Sequence, residues 1–136
     1  MSDIKIKEPF KIEIKILEFD EKQCSIKILL NYCVFLFDEK LIEVNNQLWI
    51  ECKVWDNFVS QLYKMKIGEN QTAKFYTMSD NLIFELFKEG ENISFTVYYS
   101  KSAGLNIKID SQIKSLISIE QLNFIYGQLN SFEKWW

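Results

Sequence analysis

The chemistry open to this chain is narrowed by two missing residue types. The sequence contains no histidine, and every basic residue is a lysine. Nucleophiles that depend on a histidine base are therefore excluded, and so is acid-base catalysis by imidazole. Paired carboxylates remain, and Glu85 with Glu89 or Glu91 is the pair that spacing suggests. Glu89 and Glu91 flank Gly90, which is typical of a solvated turn and not of a catalytic cleft, so the sequence predicts a protein that is not an enzyme.

Metal and cofactor sites find no support in the spacing of the remaining candidate ligands. The three cysteines, Cys24, Cys33 and Cys52, form no Cys-x-x-Cys pair and are expected to be free thiols in a reducing cytosol. The Asp56-Asn57 and Asp80-Asn81 pairs are too short for a calcium loop. The glycines form no phosphate-binding run, so we expect no metal and no cofactor.

The charge pattern argues against two classes of partner. The net charge is −3, and the lysines are scattered along the chain without an arginine among them. Nucleic-acid binders normally carry a basic face, so a nucleic-acid partner is not expected. The longest apolar run, Tyr32 to Phe37, is far too short to span a membrane, and the first residues do not have the pattern of a signal peptide. These features predict a cytoplasmic protein.

The first third of the chain is typical of β-structure. Residues 4–19 alternate between apolar and charged side chains, with an interruption at Pro9, and residues 24–30 predict an antiparallel partner strand. The alternation fails from Tyr32 to Phe37, which predicts a segment buried on both faces or bent across the core. Two more strands, 41–44 and 48–54, are predicted around a turn at Asn45-Asn46.

The rest of the chain is predicted to combine two helices with further strands. Asp56 is the expected N-cap of a helix that reaches about Lys66, and residues 73–78, 82–88, 93–100 and 105–109 are expected to be strands. Ser118 and Gln121 form a capping box for a C-terminal helix, in which Gly127 predicts a close approach to the sheet. Together these elements predict a single α+β domain, residues 1–136. Its architecture is expected to be a curved, mainly antiparallel sheet or half-barrel with a short central helix and a C-terminal helix packed on it.

Four tryptophans are the side chains best suited to large contacts. Trp49 is expected to pack in the core or on a sheet face, whereas the parity of Trp55 in the predicted strand indicates partial exposure. For Trp135 and Trp136 two alternatives stay open. The pair either folds back onto the domain or forms an exposed anchor for a partner.

The order of several segments resembles a known family. These segments are Leu-Trp-Ile-Glu-Cys-Lys-Val at 48–54 running into a helix, Leu-Ile-Phe-Glu-Leu at 82–86, Leu-Asn-Ile-Lys-Ile at 105–109 and the terminal helix with Ile-Glu-Gln-Leu at 119–122. Over roughly residues 24 to 133 the chain is similar to the WapI-type immunity proteins of bacterial polymorphic-toxin systems. That resemblance implies a non-catalytic cytosolic protein that binds and neutralises a toxin domain.

For such a protein we expect a partner-binding surface that includes Glu85, Glu89 and Glu91, together with Trp55 and Tyr98, because acidic and aromatic side chains suit a basic target. The alternative is that each glutamate is a solvated residue of the hairpin without a binding role. Two other functions are weighed against this one. A small β-rich carrier would hold an apolar ligand in a large cavity, and an adaptor or structural subunit would form a homodimer through its terminal tryptophans.

Overall fold

The computed structural model describes residues 3–102 and 104–136, and it contains eight strands and two helices. The strands are β1 (Ile4–Ile6), β2 (Lys11–Asp20), β3 (Ser25–Leu36), β4 (Glu39–Glu51), β5 (Thr72–Tyr76), β6 (Leu82–Glu89), β7 (Asn92–Ser102) and β8 (Lys108–Ile117). The helices are α1 (Cys52–Lys66) and α2 (Ile119–Asn130). The predicted α+β class and the antiparallel pairing are confirmed.

The strands divide into two antiparallel sheets, although the sequence suggested one. The first has the order β1-β2-β3-β4 and the second the order β5-β6-β7-β8, so every strand pairs only with its neighbours along the chain. Helix α1 carries the chain from the first sheet to the second, and α2 follows the last strand. The division therefore falls at α1, where the apolar period changes from that of a strand to that of a helix.

The core of the first sheet is built from alternating aliphatic side chains. Ile14 of β2 pairs with Leu30 of β3, and Ile16 pairs with Ile28, with all four side chains buried on one face. The intervening lysines and glutamates face outward, as the period of a strand requires. Burying each such side chain contributes about 1.5–3 kcal/mol, which strongly favours this register over a slip by one residue.

Aromatic rings connect the two sheets, α1 and the C-terminal tail in one continuous series of contacts. Neighbouring ring centroids lie 5.6–6.3 Å apart along this series. We call it the aromatic chain, and its members in order are Tyr32, Phe10, Phe95, Phe84, Phe75, Trp55 and Trp136. It begins in the first sheet, crosses the second sheet and ends on α1 and the C-terminal tail.

The junction between β4 and α1 differs from the prediction in two ways. The turn predicted at Asn45-Asn46 is wrong, because both residues lie inside β4 and pair with Asn31 and Leu30 of β3. The helix begins at Cys52 and not after Asp56, and its N-cap Glu51 makes no side-chain capping bond. The buried stripe Cys52, Trp55, Phe58, Leu62 and Met65 has helical spacing throughout. Burial of that stripe decides where the helix starts, in spite of the missing cap.

Two apolar segments lie nearer to solvent than the sequence indicated. Of the run from Tyr32 to Phe37, Tyr32 is buried but the last three residues are exposed, so the prediction of a segment covered on both faces is wrong. This happens because β3 and β4 pair as a long hairpin and extend together to its turn. The strand expected at 105–109 begins at Lys108 instead, and Leu105 and Ile107 are exposed in the preceding connection.

The C-terminal helix has the predicted capping box. The Gln121 backbone N–H donates to Ser118 Oγ at 3.1 Å, and the Ser118 backbone N–H donates to Gln121 Oε1 at 2.9 Å. The close approach predicted at Gly127 is wrong, because a Cβ added there would meet no atom of the described residues within 4 Å. Among the described residues, neither α1 nor α2 combines the length and the apolar character that a membrane span requires.

The open space at Gly127 gives a test of this fold. Replacing a mid-helix glycine by alanine removes backbone entropy from the unfolded chain, so Gly127→Ala should raise the free energy of unfolding by about 1 kcal/mol. Gly90→Ala is the matched control. It should lower the free energy of unfolding, because Gly90 has φ +62° in the β6–β7 turn. Urea denaturation followed by circular dichroism measures both. A destabilised Gly127→Ala protein would contradict the placement of α2.

Candidate functional site

The structure brings together two of the residues predicted for the partner surface. Glu85 and Tyr98 lie on the face of the second sheet that is turned away from the core, which we call the outer face. Tyr98 Oη donates a hydrogen bond to Glu85 Oε1 at 3.1 Å, and Lys74 Nζ lies 3.7 Å from Glu85 Oε2. Burial raises the pKa of Tyr98, and the hydrogen bond to the carboxylate raises it further. The phenol therefore stays protonated and holds the carboxylate in place at neutral pH.

The other two predicted glutamates lie at the end of the same hairpin. Glu89 is the last residue of β6 and pairs with Asn92, and Glu91 stands in the turn beside Gly90. Both side chains are exposed. They lie beyond the Glu85–Tyr98 pair and add negative charge at one end of the outer face, an arrangement that also fits the alternative of a solvated hairpin.

Trp55 is not part of any exposed surface, and the prediction of partial exposure is wrong. The side chain is only 1% exposed, because the helix begins before Trp55 and turns it toward the core. Its indole ring packs against Phe75, Phe132 and Trp136. Trp55 therefore supports the fold and offers no area to a partner.

The C-terminal tail folds back, as one of the two alternatives predicted. Trp136 packs on Trp55 with ring centroids 6.0 Å apart, and its Nε1 donates to Asp56 Oδ2 at 3.2 Å. Lys134 Nζ lies 3.0 Å from Asp56 Oδ1. Asp56 was predicted to cap α1, but its carboxylate instead lies one turn inside the helix and fixes the tail against it.

A run of exposed apolar side chains lies at the end of the β3–β4 hairpin, where the sequence did not indicate one. We call it the hairpin tip, residues 35–42. Five of its eight side chains are large, apolar and exposed: Phe35, Leu36, Phe37, Leu41 and Ile42. The available signal was the pair of apolar runs on either side of Asp38. A continuous apolar run is equally typical of a buried strand, so its position could not be read from the sequence.

The turn of the hairpin tip has an unusual backbone. Phe37 and Asp38 occupy the two loop positions between the paired residues Leu36 and Glu39, with φ values of 50° and 63°. Two positive φ values are the signature of a type I′ turn, for which Asn-Gly is the favoured sequence. A bulky residue in this conformation costs on the order of 1–3 kcal/mol. Phe37 is 94% exposed, so packing of its side chain within the described residues does not offset this backbone strain.

Other large apolar side chains are also exposed, among them Leu105, Ile107 and Ile109 before and at the start of β8. Trp49 lies on the sheet face, one of the two placements expected for it, opposite Lys27 and 37% exposed. The main-chain carbonyl of Trp49 accepts a hydrogen bond from the backbone N–H of Met78 at 2.9 Å, which covers that end of the β4 edge. Within residues 3–102 and 104–136, no three histidine, cysteine, aspartate or glutamate side chains come together as a metal site would require.

Comparison with known proteins adds no relative, since no protein-family model, no curated protein and no solved structure matches the chain. The similarity to WapI-type immunity proteins therefore stays a prediction.

Removing the tail tests whether it closes the domain or joins two copies. Deleting Glu133–Trp136 should lower the free energy of unfolding by about 2 kcal/mol, because it uncovers Trp55 and removes one aromatic pair and one exposed ion pair. The fluorescence of the remaining tryptophans should shift to longer wavelength, and the mass in solution should not change.

Lys134→Ala is the control for this deletion. It removes the ion pair with Asp56 and the contact of Lys134 Nζ with the Trp136 ring, both exposed, and should cost about 1 kcal/mol. Light scattering that detects a dimer in the full chain and a monomer after the deletion would contradict the folded-back tail and support the adaptor.

Proposed function

We propose that this chain is a non-catalytic protein that acts by binding another protein, as an immunity protein binds and neutralises a toxin domain. The observation that carries the proposal is the hairpin tip. There, five large apolar side chains remain exposed around a strained turn. In this proposal the protein acts in the cytoplasm and needs no metal or cofactor. Its partner is a protein, and neither nucleic acid nor a membrane is involved.

The backbone of Phe37 is the strongest support for a binding role. Strain in a native structure concentrates where function requires it, and asparagine or glycine would fit this turn at lower cost. An aromatic ring at the apex is well suited to enter a pocket on a partner, since buried aromatic anchors dominate the energy of many interfaces.

The hairpin that carries the tip is rigid, which favours tight binding. Strands β3 and β4 are paired from Ser25↔Glu51 to Leu36↔Glu39, with one irregularity between Val34 and Phe35. Lys11 Nζ lies 5.5 Å from the centroid of the Phe35 ring and helps to fix it. A preformed contact surface loses little conformational entropy when a complex forms.

The charges around the tip indicate the chemistry of the partner. Lys40 is paired with Glu43 at 3.0 Å. Asp38 and Glu39 have no lysine within ion-pair distance in the part of the chain that the structure describes. An apolar pocket with a basic rim would complement this arrangement, and basic clefts are common in toxins that cleave nucleic acids. Electrostatic complementarity would mainly raise the rate of association.

The outer face of the second sheet is the second candidate surface. It presents the Glu85–Tyr98 pair and Glu89, and it also exposes Phe87 and Leu116. Glu85 is already paired with Lys74 and Tyr98. Glu89 and Glu91 have no lysine within ion-pair distance among the described residues, as is also true of Asp38 and Glu39, so the two surfaces offer a basic partner similar charge. The hairpin tip is favoured because it exposes five large apolar side chains, whereas the outer face exposes Phe87 and Leu116.

The packing of the interior weighs against the carrier. The rings of the aromatic chain occupy the space between the sheets and α1, which is where an apolar ligand would have to lie. The adaptor is likewise less well supported, because the terminal tryptophan it would use is packed on Trp55 and hydrogen-bonded to Asp56.

Phe37→Asn separates binding from stability. Asparagine tolerates positive φ, so this variant should be as stable as the parent or more stable by up to about 1 kcal/mol. Its affinity for the cognate toxin domain, which would be sought first among the products of neighbouring genes, should fall at least 100-fold, because the apical ring is lost. Urea denaturation and isothermal titration calorimetry measure the two quantities, and growth of cells that express the toxin domain reports neutralisation.

Phe87→Thr is the matched control, since it removes an exposed ring from the outer face and suits a strand. Phe87→Thr should leave the affinity for the toxin domain within a factor of two of the parent value. The double variant Glu89→Lys, Glu91→Lys should do the same. If these variants lose binding while Phe37→Asn retains it, the contact lies on the outer face. If the parent protein neither binds nor neutralises the toxin domain, the immunity function is wrong.

A further inference from the structure

Two of the three cysteines meet at the base of the β3–β4 hairpin. Cys24 directly precedes β3 and Cys52 directly follows β4. The register ends at Ser25↔Glu51, and the two cysteines are the next residues beyond it, one on each side. The Cys52 backbone N–H donates to the Cys24 carbonyl oxygen at 2.9 Å, which holds the two residues against each other at the end of the ladder.

The backbone spacing at this position suits a disulfide. Cys24 has a left-handed backbone (φ 45°) and Cys52 is the first residue of α1, so the hydrogen bond between their main chains, and not strand alternation, holds them together. Such a bond at the end of a ladder keeps the Cα atoms about 5.5 Å apart, and disulfide-linked cysteines have Cα separations of about 4.4–6.8 Å. The Cys24 thiol lies close enough to Cys52 to raise the pKa of the Cys52 thiol.

The two thiols differ in their access to solvent. Cys24 is exposed, whereas Cys52 is buried in the first turn of α1. Burial raises the pKa of Cys52 to about 12, and the neighbouring Cys24 and Asp56 raise it further. Cys52 is therefore a protonated thiol that a dissolved oxidant cannot easily reach, and Cys24 is the one that meets the solvent.

We propose that Cys24 and Cys52 form a redox-active pair that a hydroperoxide converts into an intramolecular disulfide. The Cys24 sulfur attacks one peroxide oxygen, the O–O bond breaks, and the leaving oxygen departs as water or alcohol after protonation. This step leaves a sulfenic acid on Cys24. The Cys52 sulfur then displaces the sulfenic oxygen, which leaves as water with the Cys52 proton. In sum, two thiols lose two electrons and two protons, and the peroxide is reduced.

The disulfide would link the strand entering the hairpin to the first turn of α1. It would close a loop that contains all of β3 and β4, and such a link stabilises a protein mainly by restricting its unfolded chain. This inference does not depend on the proposed function, since it rests only on the two thiols and the register. A thiol reductant such as dithiothreitol would restore the reduced form.

The third cysteine supplies an internal control. Cys33 lies within β3 and pairs with Lys11 and Glu43, away from the base of the hairpin. Treatment of the full chain with hydrogen peroxide, followed by alkylation, digestion and mass spectrometry, should find a Cys24–Cys52 linked peptide and an alkylated Cys33. The intact protein should lose 2 Da, a shift of two hydrogens, and its melting temperature should rise.

Three variants complete the test. Cys24→Ser should form no disulfide, and Cys33→Ser should form it at a rate within a factor of two of the parent rate. Cys52→Ser should accumulate a sulfenic acid on Cys24 that dimedone traps. Circular dichroism reports whether each variant folds. If Cys52→Ser does not fold, peptide mapping of the oxidised parent protein tests the proposal on its own. A parent protein in which Cys24 is over-oxidised, or linked to Cys33 or to a second chain, while Cys52 stays a thiol would overturn the proposal.

Discussion

The aromatic chain is the interaction on which the rest of this structure depends. The two four-stranded sheets share no strand pairing, so apart from α1 and the backbone hydrogen bond from Met78 to Trp49, side chains set their relative position. Phe10 of the first half contacts Phe95 of the second, and Phe75 of the second sheet contacts Trp55 of α1. Rings bury a large area with few rotatable bonds, and they can therefore hold separate elements in one arrangement.

Features that depend on neighbours in the sequence were predictable. The β6–β7 hairpin and the capping box of α2 are found where local patterns placed them, because turn residues and caps act over a few positions. The start of α1 was not predictable from Asp56, since the helix is stabilised by burial of Trp55 and Phe58 without a side-chain cap. Tertiary packing outweighed local preference at this point.

The candidate surfaces also include one that local patterns predicted and others that they did not. The alternation of β6 and β7 was sufficient to place Glu85 and Tyr98 on one face, and the structure joins them by a hydrogen bond. The hairpin tip was missed because the apolar run that ends at Phe37 has the same composition whether it is buried or exposed. The cysteine pair was missed for another reason. Cys24 and Cys52 are brought together by the length of the hairpin, and no short motif encodes that distance.

The order of strands in each sheet has a consequence for the nascent chain. Every strand pairs with the strand made just before or just after it, so the first sheet can complete its ladder while the ribosome has yet to make the second. Short-range pairing of this kind lowers the contact order and favours fast folding. It also limits the time for which the isoleucine-rich strands of the first sheet have unpaired edges open to aggregation.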